Sequence, residues 1–146
     1  MLAAGLGLAT VAAYAAGTPD ELITARQMEM KTNMKAMKAL VLILKGQAPY
    51  DQATVQAAAK AIKDARAEGE AKDVWNASAQ AGSSVKSEAK PEIWSDAAGF
   101  AAAWKSLDGA VAGLDSVKDE ASLKAAFPAL GGACKGCHEK YRAAED

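Results

Sequence analysis

The chain has 146 residues, 51% of them hydrophobic and only 5% aromatic, which is enough for one modest globular domain and too little for two. Alanine supplies 37 residues while Val and Ile together supply 11, a mixture that favours helices and excludes an all-β fold. With 17 basic residues against 18 acidic ones, the chain lacks the positive excess needed to hold nucleic acid or anionic lipid.

Residues 1–16 (MLAAGLGLATVAAYAA) are apolar and small, too short to span a bilayer comfortably and typical of a signal-peptide core. Ala13-Tyr14-Ala15 places small residues where a signal peptidase inspects the chain. No Lys or Arg precedes Arg26, so the charged start of a signal peptide is missing. Either the numbering begins inside a longer precursor, which fits the charge pattern better, or the segment is a short uncleaved anchor. Both readings place residues 17–146 as one domain in the periplasm, touching a membrane only if the first 16 residues stay attached.

Thr18-Pro19-Asp20-Glu21 has the form of a helix start, with Thr18 as N-cap, Pro19 in the first turn and Glu21 closing a capping box. The spacing of Ile23, Gln27, Met30, Met34, Met37, Val41 and Leu44 predicts a long helix with these residues inward, ended by Gly46 and Pro49. A second helix is predicted from near Asp51, with Val55, Ala58, Ala59, Ile62 and Ala65 inward. Residues 69–90 read as a fraying end and a loop. A third helix begins near Pro91 or Ser95 and carries Ile93, Ala97, Phe100, Trp104, Leu107, Val111 and Leu114 on one face. The fourth follows Asp119, with Leu123, Phe127, Leu130, Cys134, Cys137, Tyr141 and Ala144 inward. Pro128 and Gly131-Gly132 are expected to loosen or kink its middle. The fold predicted is an all-α, antiparallel four-helix bundle.

Cys134-Lys135-Gly136-Cys137-His138 is C-x-x-C-H, the attachment motif for c-type haem, and it uses both cysteines and the single histidine of the chain. The thiols add to the haem vinyl groups as thioethers, and the adjacent imidazole becomes the proximal iron ligand. A thioredoxin-like dithiol wants a βαβ context, a zinc site wants four ligands where the cluster offers three, and a plain disulfide leaves His138 unexplained. With His138 spent, a sixth ligand must be methionine, a weaker donor, or nothing. Met28, Met30, Met34 and Met37 crowd the first helix. Methionines at helical spacing are usually core filler. Met30 is the inward one nearest the helix start, which in an antiparallel bundle neighbours the end of helix four, and Arg26 and Gln27 one turn earlier are placed to meet haem propionates. Lys135, Lys140 and Arg142 surround the motif, more economically as a solvated helix end than as a docking patch.

These residues resemble the cytochrome c-prime family, the class II c-type cytochromes. The resemblance is carried by Lys45 to Asp51, by Pro91 to Asp96, and by Cys134 to His138 followed by Tyr141-Arg142. It implies a bundle with one covalent haem c and its iron, bound through Cys134 and Cys137, with His138 proximal and Arg142 one turn later. It also implies that Met30 occupies the position of the apolar distal residue in five-coordinate, gas-binding members and of the methionine ligand in low-spin members. The expectation taken from the sequence is a low-spin, His138/Met30-ligated one-electron carrier that serves redox partner proteins. The alternative is a five-coordinate protein that binds nitric oxide or carbon monoxide. Arg26 matches a propionate-contacting position of the high-spin branch. The resemblance admits a homodimer through the first two helices. With no distal histidine or other clear base, the sequence offers no catalytic residues for a peroxidase.

Overall fold

The computed structural model describes residues 17–144, so the export segment with its Ala13-Tyr14-Ala15 site lies outside the described residues. Among the described residues no helix is long and apolar enough to cross a membrane.

Helix α1 runs Pro19–Leu44 and begins as its capping residues dictate. Thr18 donates its backbone N–H to Glu21 Oε2 at 2.8 Å, and the Glu21 N–H reaches back to Thr18 Oγ1 at 3.4 Å. This exchange satisfies two amides that a helix start leaves without partners. Gly46, at φ 66°, takes the left-handed turn that closes the helix, a conformation costly for a residue with a Cβ. Helix α2 spans Gln52–Ala71, capped by the Asp51 carboxylate, which accepts from the amides of Ala53 and Thr54. The short link makes α1 and α2 antiparallel neighbours that pack closely along their length.

The segment between α2 and the next helix is pinned rather than loose. Val74 and Ala79 are fully buried, and a 3₁₀ turn covers Ala77–Ala79. The Asp20 carboxylate, at the start of α1, accepts from the amides of Ser83, Ser84 and Val85 and from both serine hydroxyls.

The predicted third helix is divided in two. Helix α3 is a single turn, Glu92–Ser95, and α4 runs Ala97–Gly113. Between them Asp96 leaves helical geometry (φ −121°, ψ 56°) so that its carboxylate can cap α4 by accepting from Gly99 N–H at 3.1 Å. An aspartate offers the backbone this alternative, and the apolar periodicity that runs across it is blind to the choice. Helix α5 spans Glu120–Tyr141 without interruption, so the expected loosening at Pro128 and Gly131-Gly132 does not end the helix. Leu123 and Leu130, both fully buried, anchor it on either side of Pro128, and this packing outweighs one missing amide. Ala144 lies beyond the helix and is exposed.

The long helices α1, α2, α4 and α5 form the bundle, and its interior divides into two clusters. One is aliphatic: Leu40, Ile43, Val55, Ile62, Leu114 and Leu123 are buried there, with Met37 packed against them. The other is aromatic: Ile93, Phe100, Trp104 and Tyr141, with Met30, Trp75, Trp94 and Cys137 against it.

One expectation fails in α1. The stripe that is buried is Leu22, Arg26, Glu29, Asn33, Ala36, Leu40 and Ile43, together with Ile23. It has the same alternation of fours and threes as the predicted seam but is displaced by one residue. Gln27, Met30, Met37, Val41 and Leu44 are half-buried, and Met34 is 67% exposed instead of inward. The helix is turned toward α2, with which it makes its closest packing, so three polar side chains enter the interior and the methionines move to its flank.

Candidate functional site

The last turns of α5 carry the C-x-x-C-H motif. Cys134 and Cys137 lie about one helical turn apart, both half-buried and not joined to each other. Burial pushes both thiols above their ordinary pKa, so they stand as protonated thiols at neutral pH. His138 is exposed as a residue, yet desolvation of its ring, and then the Arg142 charge, lowers its pKa and favours the neutral imidazole that can bind a metal. Among the described residues no group of three or more His, Cys, Asp or Glu side chains is placed to hold a metal ion directly. Two thiols one helical turn apart with an imidazole beside them are a donor set that fits an iron brought in by a covalently attached macrocycle.

Met30 packs against the aromatic cluster that also receives Cys137, so the predicted distal methionine and one attachment thiol share that cluster. The other methionines of α1 are elsewhere. Met28 is 54% exposed, Met34 is exposed, and Met37 packs on the aliphatic cluster. In the aromatic cluster Trp75 meets Phe100 edge-on at 5.0 Å, and Phe100 meets Trp104 at 6.1 Å and Tyr141 at 5.2 Å. These edge-to-face contacts fix the walls more firmly than area burial alone. A groove of about 490 Å³, floored by Ala103, Gly109, Gly132 and Gly136 among other small residues, opens between α4 and α5 at Cys137. A larger one, of about 590 Å³, lies between α1 and α2, far along the chain from the motif.

Arg26 and Gln27 are committed to the 74–87 segment. Arg26, only 3% exposed, donates to the carbonyls of Ala79 at 2.8 Å and Val74 at 3.4 Å and to Ser87 Oγ at 2.6 Å. Its guanidinium sits 5.0 Å from the Trp75 ring centre and 5.9 Å from that of Trp94. Gln27 Nε2 donates to Lys86 O at 2.9 Å. Both side chains thus fasten the loop at the edge of the aromatic cluster. Arg142 donates from Nε to Glu88 Oε2 at 2.8 Å. Lys140 pairs with Asp96, and Lys135 lies 3.5 Å from Glu139. The basic ring around the motif is matched by acids, as expected of a solvated helix end rather than of a positive docking patch.

Sequence reasoning missed the polar set beside the aromatic cluster. Glu29 and Asn33 are 4% and 9% exposed, and burial first of all raises the Glu29 carboxyl to about 7, partly countered by the Arg66 charge. Arg66, from α2, stacks 4.0 Å over Trp104 and binds Glu70 at 2.6 Å. The signal was present: the stripe through Arg26, Glu29 and Asn33 keeps the bundle spacing, but its polarity hid it behind the more apolar neighbouring stripe.

A four-helix bundle whose last helix ends in paired thiols and an imidazole, facing a methionine on the first, defines a c-type cytochrome of the bundle class. The model of the family described as Cytochrome C' matches residues 21–142. The chain is 35% identical over 138 residues to a cytochrome c' of Rhodopseudomonas palustris, covering 94% of this chain and 92% of that one. It is 34% identical over 145 residues to a cytochrome c-556 of the same organism, covering 93% and 92%. A solved nitric oxide complex of a variant cytochrome c prime from Alcaligenes xylosoxidans superposes with a TM-score of 0.75 at 28% identity, over 89% of this chain and 100% of that one. The chain belongs to the cytochrome c′ family, whose members carry covalently attached haem c with its iron.

Proposed function

We propose that this chain is a periplasmic haem c protein that binds a diatomic gas, nitric oxide or carbon monoxide, at an iron held by His138 and roofed by Met30. The observation that carries this reading is that Met30 and Cys137 pack against one aromatic cluster. That cluster includes Ile93, Phe100, Trp75 and Trp104, and the guanidinium groups of Arg26 and Arg66 on its flanks are stacked on tryptophan rings. A largely apolar surrounding of this kind favours a small neutral ligand over water or anions. The nitric oxide complex among the similar structures supports it, and this reverses the order of preference drawn from the sequence.

When bound, the haem supplies an iron that cycles between ferric and ferrous and takes one further ligand. The chain's own residues do the rest. Cys134 and Cys137 would hold the macrocycle covalently, His138 would ligate its iron as the neutral imidazole that desolvation and then the Arg142 charge favour, and Met30 would flank the ligand site. Arg26 and Gln27 fasten the 74–87 segment, whose Trp75 packs against the aromatic cluster. Cleavage after Ala15 would leave the domain from residue 17 onward free in the periplasm.

The second reading is the His138/Met30-ligated electron carrier serving redox partner proteins. It is favoured by Met30 being the methionine of α1 packed against that cluster, and by a relative named cytochrome c-556. The optical spectrum of the ferrous protein before and after carbon monoxide separates the two. A high-spin spectrum that shifts promptly on adding the gas is expected. Sharp low-spin bands that the gas leaves in place would overturn gas binding and establish methionine ligation.

A further inference from the structure

We propose that Asp96 is the positioning residue for the proximal histidine, acting through Tyr141 and Lys140 on the last turn of α5. This rests on the reading of His138 as the iron ligand. Asp96 occupies the break between α3 and α4, and its carboxylate gathers donors from two helices. It accepts from Gly99 N–H at 3.1 Å, from the Tyr141 hydroxyl at 2.9 Å, and from the Lys140 ammonium. The approach is close at Gly99, where a Cβ would come within 2.2 Å of Asp96 Oδ2 and 2.5 Å of the Tyr141 oxygen and so would push one of them aside.

The junction is specific in what it holds. Tyr141 is 3% exposed, and it follows Cys137 by four residues and His138 by three, so all three share a helix flank. A carboxylate with three donors, two of them on consecutive residues of α5, fixes both the rotation and the height of that turn. From the other side Lys90 N–H donates to Tyr141 O at 2.9 Å, Ala143 N–H donates to Glu88 O at 2.8 Å, and Arg142 pairs with Glu88. The end of α5 is thus gripped on both sides, and Asp96 is the point at which the α3–α4 break meets the turn that presents the imidazole. Catalysis of the Asp96 kind by direct contact with haem is not implied; its effect passes through the helix.

The test uses the haem-loaded protein and the hyperfine-shifted proton NMR spectrum of its ferric form, because the spread of the haem methyl shifts follows the plane of the axial imidazole. Tyr141→Phe and Asp96→Ala are expected to change the methyl pattern and broaden it, and Asp96→Asn, which keeps the Gly99 cap on Oδ1 but puts an amide NH2 where Oδ2 accepts from Tyr141 and Lys140, is expected to change it as well. Asp119→Ala, which removes the equivalent cap at the far end of α5, is the control: it lowers the melting temperature and leaves the methyl pattern alone. Should Tyr141→Phe lower the melting temperature yet keep the wild-type pattern, Asp96 is a structural cap and the proposal is overturned. A wild-type spectrum without contact-shifted imidazole protons overturns the assignment of His138 itself, a separate failure. Tyr141→Phe keeps the ring in its packing, so the test stands even if Asp96→Ala does not fold.

Discussion

The two ends of this bundle solve the same packing problem with different chemistry. At the Gly46 end the interior is filled by Leu40, Ile43, Val55, Leu114, Leu123 and Leu130, each 0–1% exposed. At the motif end it is walled by aromatic rings, flanked by half-buried thiols and methionine, and underlain by Arg26, Glu29, Asn33 and Arg66. The first arrangement maximises apolar burial, and the second holds rings at fixed angles around a place for a flat group. The stability of the fold is therefore concentrated at one end and its chemistry at the other.

That division is broken most directly by truncating the aliphatic end. Leu123→Ala is expected to destabilise the protein by about 2–5 kcal/mol in urea unfolding, since the side chain is fully enclosed and leaves a cavity. The haem spectrum of the folded fraction should not move. A spectral change would show that the two ends are mechanically coupled. Met30→Ala is the complementary cut. Being half-buried, the side chain should cost only roughly 1–2 kcal/mol, while carbon monoxide binds faster as the ligand site opens. An unchanged binding rate would remove Met30 from the roof.

Glu29 sharpens the comparison through pH. Burial raises its carboxyl from the ordinary 4.5 to about 7, so between these values the folded state holds a proton that the unfolded chain has released. Such a group contributes stability that is fully present below about pH 4.5 and is lost as pH rises toward 7. Glu29→Gln is expected to leave stability at pH 4 unchanged and to raise it at pH 8 by roughly 1–3 kcal/mol, read from urea midpoints. Equal midpoints at pH 8 would mean that Arg66 fully compensates the ionised carboxylate.

How far the sequence carried the structure can be followed along α1. Thr18, Glu21 and Gly46 marked its ends correctly because capping is a local interaction between a few residues. Its rotation was misjudged because two adjacent stripes have the same spacing. The less apolar one won: Arg26 finds Ala79, Ser87 and Trp75, and Glu29 meets the Arg66 charge, all from distant parts of the chain. The break at Asp96 was hidden for a related reason, since its partners Tyr141 and Lys140 lie some 45 residues away. The attachment motif was legible outright, because its chemistry resides in five consecutive residues. The propionate role expected of Arg26 and Gln27 rested on their place one turn before Met30 and, for Arg26, on the family resemblance; neither reveals that the 74–87 segment also engages both side chains.

The segment that claims those side chains supplies the smallest and most local effect. Asp20 is drawn well below the ordinary carboxylate range, first by the Ser84 hydroxyl, then by that of Ser83, and further by the amides of Val85 and Ser84. A depressed carboxyl contributes stability that is present above its unfolded pKa, near 3.8, and that is lost as pH falls through the folded value. Because Asp20 lies at the rim, where solvent screens it, the consequence should be confined to the loop it fastens. Asp20→Ala is expected to speed amide exchange at Ser83, Ser84 and Val85 at pH 6 while leaving exchange at Leu40 and Leu123 unchanged. In the wild-type protein the same three amides should lose protection on acidification below pH 3.8, ahead of global unfolding. If their exchange in Asp20→Ala matches wild type, the loop is held instead by Arg26 and Gln27 alone, and the closure over Trp75 depends on the buried guanidinium rather than on the carboxylate at the helix start.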